Sequence, residues 1–442
     1  MKTLQPTGRN LSSRIILMTM LASIGVLPPH VAAQMVSAPV LGMEQAVQRA
    51  IDWHPSVEEA VGRLAAQAEE RNIAKAGYQP RITAGVGSDV ARGGQDNRWR
   101  PRANINASQM IHDFGKVGSD VRAAEAGDRV YQARLLYAVD DLSRETAQAL
   151  IENQRAAMLR RVAEDQLADL RMIEEMVDHR YRRGAATKSD ALQAKGRVGG
   201  AEADIQRIDS EVLRWRGTLS NLVGQTVDGV DPDVPAWLTP VCAAGVPVWE
   251  DVPAIQEAQA ERDRALAGFD RSKADRMPTI SLEAGATGDV HEPWSNRADY
   301  NIGIRVNSSL FSGGASTARA RGASHALSAA SAAESRIRLE IQRVFGELQE
   351  DMIGRQNVLE TLKIREADMR ETGSLYRLQY LEMGTRSLVD LLNAQQELHQ
   401  LRFSIVNTQH DIRRTQTECL FYSGASRDRF SLTGKRLRGV IL

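Results

Sequence analysis

A glycine, a hydroxyl and a carboxylate recur in register at two places two hundred residues apart. Gly384-Thr385-Arg386-Ser387-Leu388-Val389-Asp390-Leu391-Leu392-Asn393-Ala394 is echoed by Gly184-Ala185-Ala186-Thr187-Lys188-Ser189-Asp190-Ala191-Leu192-Gln193-Ala194. Gly184 answers Gly384, Thr187 answers Ser387, Asp190 answers Asp390, and Ala194 answers Ala394. On residue type alone, a carboxylate so placed is an ordinary helix cap, because the helix dipole favours negative charge at a helix start. Arg386 and Asp190 put opposite charges into corresponding turns. No catalytic companion appears: the chain has no phosphate loop, no His-Glu-x-x-His, no Cys-x-x-Cys and no nucleophile elbow. The expectation is a protein that is not an enzyme and needs neither cofactor nor metal. Cys242 and Cys419 fit no metal spacing. They could pair in an exported protein, but Cys419 falls on a helix seam, which favours a buried, inert thiol.

An echo of this kind implies an internal duplication, and the elements around the two turns repeat as well. After Pro80 the apolar residues alternate: Ile82, Ala84, Val86 and Val90 against Arg81, Thr83, Gly87 and Asp89. A polar break at 91–98 follows, and then Ala103, Ile105, Ala107 and Ile111 alternate with Arg102, Asn104, Asn106 and Ser108. After Pro278 the same arrangement returns. Ile280, Leu282, Ala284, Ala286 and Val290 precede a polar loop ending at Ala298, and Tyr300, Ile302, Ile304, Val306 and Leu310 follow it. Each half therefore predicts a hairpin of two strands about ten residues long, the length that spans a membrane as β-structure.

Helical patterns fill the rest. Gly42 to Ala76 reads as helix. The 69 residues from Gly115 to Gly184 and the 70 from Gly314 to Gly384 contain no proline, so each could run about 100 Å as continuous helix. On the return, Ile205, Ile208, Val212, Trp215, Leu219 and Leu222 step by threes and fours. Leu391, Leu398, Ile405, Ile412 and Cys419 recur every seven, a period that coils helices around neighbours. Five of the fourteen prolines (Pro232, Pro235, Pro240, Pro247, Pro253) mark a linker. The expected domains are a first repeat over 41–225, the linker over 226–253, a second repeat over 254–424, and a basic, solvated, poorly ordered tail over 425–442.

Lys2, Arg9 and Arg14, an apolar run from Ile15 to Leu27, and Val31-Ala32-Ala33 predict a secretory signal peptide over 1–33, cleaved after Ala33. No cysteine follows the site, so no lipid anchor is expected. With 56 basic and 56 acidic residues the chain is uncharged overall, which gives no sign of nucleic-acid binding. Four strands cannot close a barrel, and an open edge in lipid leaves backbone groups unpaired at several kcal/mol each. Strands must therefore come from other copies of the chain. Two copies would fill their own lumen, whereas three or four could leave a pore. A soluble alternation would look the same, so an exported coiled-coil structural or tethering protein is the rival reading.

Signal peptide, duplicated halves, the junctions Asp113-Phe114-Gly115-Lys116 and Leu310-Phe311-Ser312-Gly313-Gly314, and the run from Gly384 to Ala394 together resemble the TolC family of outer-membrane efflux and secretion channels. The resemblance covers about residues 41–424. It implies an α+β membrane protein: a trimer with a twelve-stranded outer-membrane β-barrel, four strands per chain, continued by a long α-helical coiled-coil tunnel in the periplasm. It also implies a periplasmic adaptor and an inner-membrane ABC or proton-driven transporter as partners. Asp190 and Arg386 match residues that hold the closed tip, and Gly184, Gly384 and Thr385 lie in the turns that meet the adaptor. Asp390 matches a carboxylate that rings the narrowest point. The position of the family's second acidic ring is Asn393, so one ring stands where two are usual. Tyr181 stands three residues before its glycine, as the tip tyrosine does; in the second half Leu381 takes that place and Tyr380 precedes it. The Arg386 to Asn393 run followed by Glu397-Leu398 resembles the type I protein-secretion branch more than the small-molecule efflux branch.

Overall fold

The structure is a computed structural model, and it describes residues 40–90, 99–243, 245, 247–289 and 299–442. The signal-peptide reading and the two polar loops at 91–98 and 290–298 lie outside the described residues. Two repeats are visible. In the first, α1 (Met43–Trp53) and α2 (Pro55–Ala76) lead into β1 (Arg81–Val90) and β2 (Trp99–His112), then into α3 (Lys116–Arg182) and the return helix α4 (Lys188–Val223). In the second, α5 (Pro253–Ala274), β3 (Thr279–Asp289), β4 (Asp299–Asn307), α6 (Ala315–Leu378) and α7 (Leu388–Tyr422) repeat that order. The helix expected over Gly42–Ala76 is interrupted. Pro55 pushes His54 out of helical backbone (ψ 134°), and the His54 ring then accepts the Ser56 amide to start α2 afresh.

All four strands form one antiparallel sheet in the order β1-β2-β3-β4. The two hairpins are joined by β2 pairing with β3, from Arg102 opposite Asp289 to His112 opposite Ile280, with a bulge between Met110 and His112. This register puts Ile82, Ala84, Val86, Ala103, Ile105, Ala107, Leu282, Ala284, Ile302, Ile304 and Val306 on one face, because paired residues point the same way. Ile302 is 79% exposed and Val86 75%, which in water would forfeit their burial energy and in lipid does not. The opposite face carries Thr83, Asn104, Asn106, Ser108, Asn301 and an Arg305–Glu283 ion pair. Gly285 leaves the space that Asn106 and Asn301 fill; a Cβ there would lie 2.6 Å from the Asn301 Oδ1.

The long helices form as their lack of proline requires: α3 has 67 residues and α6 has 64. Among the described residues no helix is long and apolar enough to cross a membrane. Small residues on α3 (Ala126, Ala133, Ala147, Ala149, Ala156, Ala163) are buried where α2, α4, α5 and α7 pack along it. On α7 the seven-residue stripe is buried at Leu391, Leu398, Ile412 and Cys419, while Val406 takes the buried place expected of Ile405. The largest core cluster gathers α1, the middle of α3, the ends of α4 and α7, and the linker residues Leu238, Val241 and Cys242.

Two expectations are corrected at this core. Cys242 and Cys419 are joined in a disulfide, their Cα atoms 5.3 Å apart across 177 residues of sequence. Cys419 is buried at its seam position, as read, but the thiol is not free. Residues 425–442, expected to be a solvated tail, are ordered and docked. They form a short helix, α8 (Ser426–Arg429), and a two-stranded hairpin, β5 (Arg436–Leu437) with β6 (Val440–Ile441). Phe430, Leu432 and Leu437 enter the core, and Arg427 makes a buried ion pair with Asp140 of α3. Lys435 reaches Asp52 at 2.7 Å and Arg438 reaches Glu58 at 3.3 Å. Three of the basic residues read as a solvated end, Arg427, Lys435 and Arg438, are partners of acids on α3, α1 and α2.

Candidate channel tip

Both glycine-led turns close the far ends of the long helices. At the end of α3 the amide of Ala185 donates to the carbonyl of Arg180 at 2.8 Å, with Gly184 left-handed (φ 76°). At the end of α6 the corresponding bond runs from the Thr385 amide to the Gln379 carbonyl at 3.2 Å, with Gly384 at φ 63°. The first bond spans five residues and the second spans six, because Gln379–Met383 forms a π-turn that absorbs one extra residue. Arg180 and Gln379 are thus equivalent, and so are Tyr181 and Tyr380. The one-residue offset of Tyr380 in the sequence is taken up by the π-turn, and its ring is buried while Tyr181 stays exposed.

The helices that follow are started alike. Thr187 caps α4: its Oγ1 accepts the Asp190 amide at 3.2 Å, and Asp190 Oδ2 accepts the Thr187 amide at 3.1 Å. Ser387 caps α7 in the same way. Its Oγ accepts the Asp390 amide at 3.2 Å, while Asp390 Oδ2 accepts the Ser387 amide at 3.3 Å and the Ser387 hydroxyl at 2.9 Å. These reciprocal bonds satisfy two orphan donors per helix. The Ser387 hydroxyl, helped by the Ser387 amide, holds the Asp390 carboxyl below its ordinary value. Asn393 follows one turn later on the exposed side of α7, away from the buried Leu391, Leu392 and Ala394.

Asp190 and Arg386 do not meet within the chain. Arg386 donates from Nε to Gln379 Oε1 at 3.2 Å and lies 4.5 Å from the Tyr376 ring centre. The contact between the two turns is instead made by Arg180, which sequence reasoning missed. Its guanidinium stacks 4.8 Å from the centre of the Tyr380 ring, and its Nη1 donates to the Tyr380 carbonyl at 3.1 Å. Burial pushes the Tyr380 hydroxyl above its ordinary value. Only the equivalence of Arg180 with Gln379, visible once the π-turn is known, would have singled Arg180 out. Beneath this contact Leu170, Ile173 and Val177 of α3 pack with Ala194 and Val198 of α4 and Leu388, Leu391 and Leu392 of α7. His399, buried on α7, bonds Asp169 of α3 at 3.0 Å and draws that carboxyl down.

The comparisons with known proteins agree with this architecture. The family model described as outer membrane efflux protein matches residues 46–225 and 249–424, the two repeats without the linker and the last segment. Outer membrane efflux protein BepC of Brucella suis is 24% identical over 363 residues, covering 78% of this chain and 77% of its own. Alkaline protease secretion protein AprF of Pseudomonas aeruginosa is 23% identical over 425 residues, covering 87% and 84%. Among solved structures, the outer-membrane channel OprN superposes with a TM-score of 0.77 at 20% identity, over 86% of this chain and 89% of that one. VceC from Vibrio cholerae superposes with a TM-score of 0.76 at 17% identity, over 86% and 96%. The exposed apolar sheet face, the paired hairpin repeats and the match to both repeats place this chain in the outer membrane efflux protein family, the TolC-like channels of the outer membrane.

Proposed function

We propose that three copies of this chain close a twelve-stranded barrel and form the outer-membrane exit duct of a tripartite system for type I protein secretion. The observation that carries the duct is the sheet. Its four strands pair internally and leave β1 and β4 each with one unpaired edge among the described residues. One face is apolar and exposed and the other is polar. A single copy has no partner for those edges in lipid. Cyclic closure of identical chains supplies it, and the polar face then lines the lumen.

The long helices would continue the lumen through the periplasm to a tip formed by the two glycine turns. In this reading Asp390 rings the narrowest point, and Arg180, Tyr380, Arg386 and Asp190 hold the resting tip shut. An adaptor would meet the turns at Gly184, Gly384 and Thr385, and an inner-membrane transporter would supply the energy. Protein cargo is favoured by the similarity to a protein named for alkaline protease secretion, which extends over 87% of this chain. Two measurements test the proposal. Native mass in detergent should give a trimer, and a stable monomer would end the barrel reading. Deleting the gene should remove a secreted protein from the medium; an unchanged secretome with new drug sensitivity would assign the duct to small-molecule efflux instead.

A further inference from the structure

Two stretches outside the family match, 226–248 and 425–442, pack against each other. Trp237 meets the Phe430 ring edge-on, centroids 5.3 Å apart, and Leu238 and Leu432 are fully buried beside them. The disulfide lies in this same cluster. Cys242 sits in a short turn of the linker, Val241–Ala243, and Cys419 lies near the end of α7. Besides the covalent bond, two glutamines grip this linker from the long helices. Gln349 donates to the Cys242 carbonyl at 2.9 Å, and Gln416 donates to that of Thr239 at 3.4 Å. The last segment then reaches outward. Arg427 pairs with Asp140 and donates to the Asp251 carbonyl at 2.6 Å, and Gln48 of α1 donates to the Phe430 carbonyl at 3.2 Å. Gly424, where the chain turns into this segment, is left-handed, and a Cβ there would lie 2.7 Å from Asp251 backbone.

We propose that the Cys242–Cys419 disulfide and residues 425–442 form one oxidation-dependent clamp: the segment seats on a chain whose cysteines are already joined, and once seated it seals the bond. The linker must be fixed against α7 before Trp237 and Leu238 can offer Phe430 and Leu432 a surface. The bond closes a loop of 177 residues that contains all of the second repeat except its last few residues, so it removes much of the freedom that would compete with docking. Closure needs an oxidant, and for a chain exported to the outer membrane that is a disulfide-bearing carrier protein. One cysteine thiolate attacks the carrier's disulfide and forms a mixed disulfide, expelling the carrier's other sulfur as a thiolate. The second cysteine thiolate then attacks the mixed disulfide at the sulfur belonging to this chain. The carrier leaves as a dithiol, having taken two electrons and two protons from the pair.

The clamp couples bond and segment in both directions, and each direction has its own readout in detergent-solubilised full-length protein. In the first, limited trypsin digestion follows cleavage at Arg429, Lys435, Arg436 and Arg438. The double variant Cys242→Ser/Cys419→Ser should be cut there at least tenfold faster than wild type, and an equal rate would overturn the proposal. In the second, the oxidised protein is exposed to a phosphine reductant and the freed thiols are counted by maleimide mass. Phe430→Leu keeps the bond and a filled core but loses the edge contact with Trp237, and it should be reduced at least fivefold faster than wild type. Reduction of the variant at the wild-type rate would show that the segment does not seal the bond. This second arm decides alone if the cysteine-free chain does not assemble.

Discussion

Replacing Arg427 by Ala tests the buried ion pair on which the docked segment rests. Asp140 is fully buried, its Oδ2 is bound by Arg427, and its Oδ1 has no partner. Burial pushes the Asp140 carboxyl up to about 7, with the Arg427 charge and hydrogen bond opposing the rise. A carboxyl raised above its unfolded value binds its proton more tightly in the folded state. Its contribution to stability is therefore fully present below about pH 4 and is lost as the pH climbs through about 7. Removing Arg427 leaves the carboxylate without its counter-ion, so its proton affinity rises further. At pH 8 the variant must either bury an unpaired charge or hold a proton against the pH, and losing one partner of a buried pair costs about 3–5 kcal/mol. At pH 5 it can bury a neutral acid instead, and the cost falls to the lost hydrogen bonds, about 1–3 kcal/mol. The loss at Asp140 and at the Asp251 carbonyl sets that lower figure. Urea titration followed by tryptophan fluorescence reports the event through Trp237, which packs on Phe430. The midpoint difference between wild type and Arg427→Ala should be at least twice as large at pH 8 as at pH 5. Replacing both partners, Asp140→Leu with Arg427→Leu, should cost less at pH 8 than the single change. An Arg427→Ala penalty equal at the two pH values would mean that Asp140 is not the group left stranded.

Two further outcomes concern the tip. Arg180→Ala removes the stack on Tyr380 and the bond to its carbonyl, and Arg386→Ser removes the contacts with Tyr376 and Gln379. Each should raise single-channel conductance in planar bilayers severalfold, and unchanged conductance in both would place closure on other contacts. Asn393→Asp adds a charge one turn beyond Asp390, so it should strengthen block by a trivalent cation about tenfold, since attraction grows with the charge around the ion. Asp390→Asn should nearly abolish block while costing about 0.3–1 kcal/mol of charge–dipole interaction in the first turn; block indifferent to both changes would leave Asp390 part of the capping box alone.

Much of this fold is written in local periods. The step of two from Ile82 to Val86 and from Ile302 to Val306 survives because one strand face meets lipid and the other does not, so every second residue is constrained. The step of seven from Leu391 to Cys419 survives because α7 lies along neighbours for its whole length. Partners distant in sequence leave no such trace. Cys242 and Cys419 stand 177 residues apart, Arg427 and Asp140 stand 287 apart, and Ser431 and Glu44 stand 387 apart. Cys419 reads locally as a seam thiol and Arg427 as a solvated base. The misreadings therefore gather at the core where α1, the linker and the last segment meet.

At the tip the obstacle was a single residue. Counting back from glycine assumes the same turn in both halves, and the π-turn at Gln379–Met383 breaks that count while preserving the place of the tyrosine. The same geometry bears on the two readings of Asp390, which a sequence presents as alternatives. Both capping bonds from Ser387 fall on Oδ2, so the other carboxylate oxygen carries none of the cap. A cap that fixes the side chain and draws its proton affinity down keeps the group charged and aimed, as a ring of three such carboxylates around an axis requires. In a trimer, mutual repulsion would act against the Ser387 bonds, and the cap is what would hold each carboxylate ionised. Under the proposed function, the cap and the pore would be two uses of one side chain.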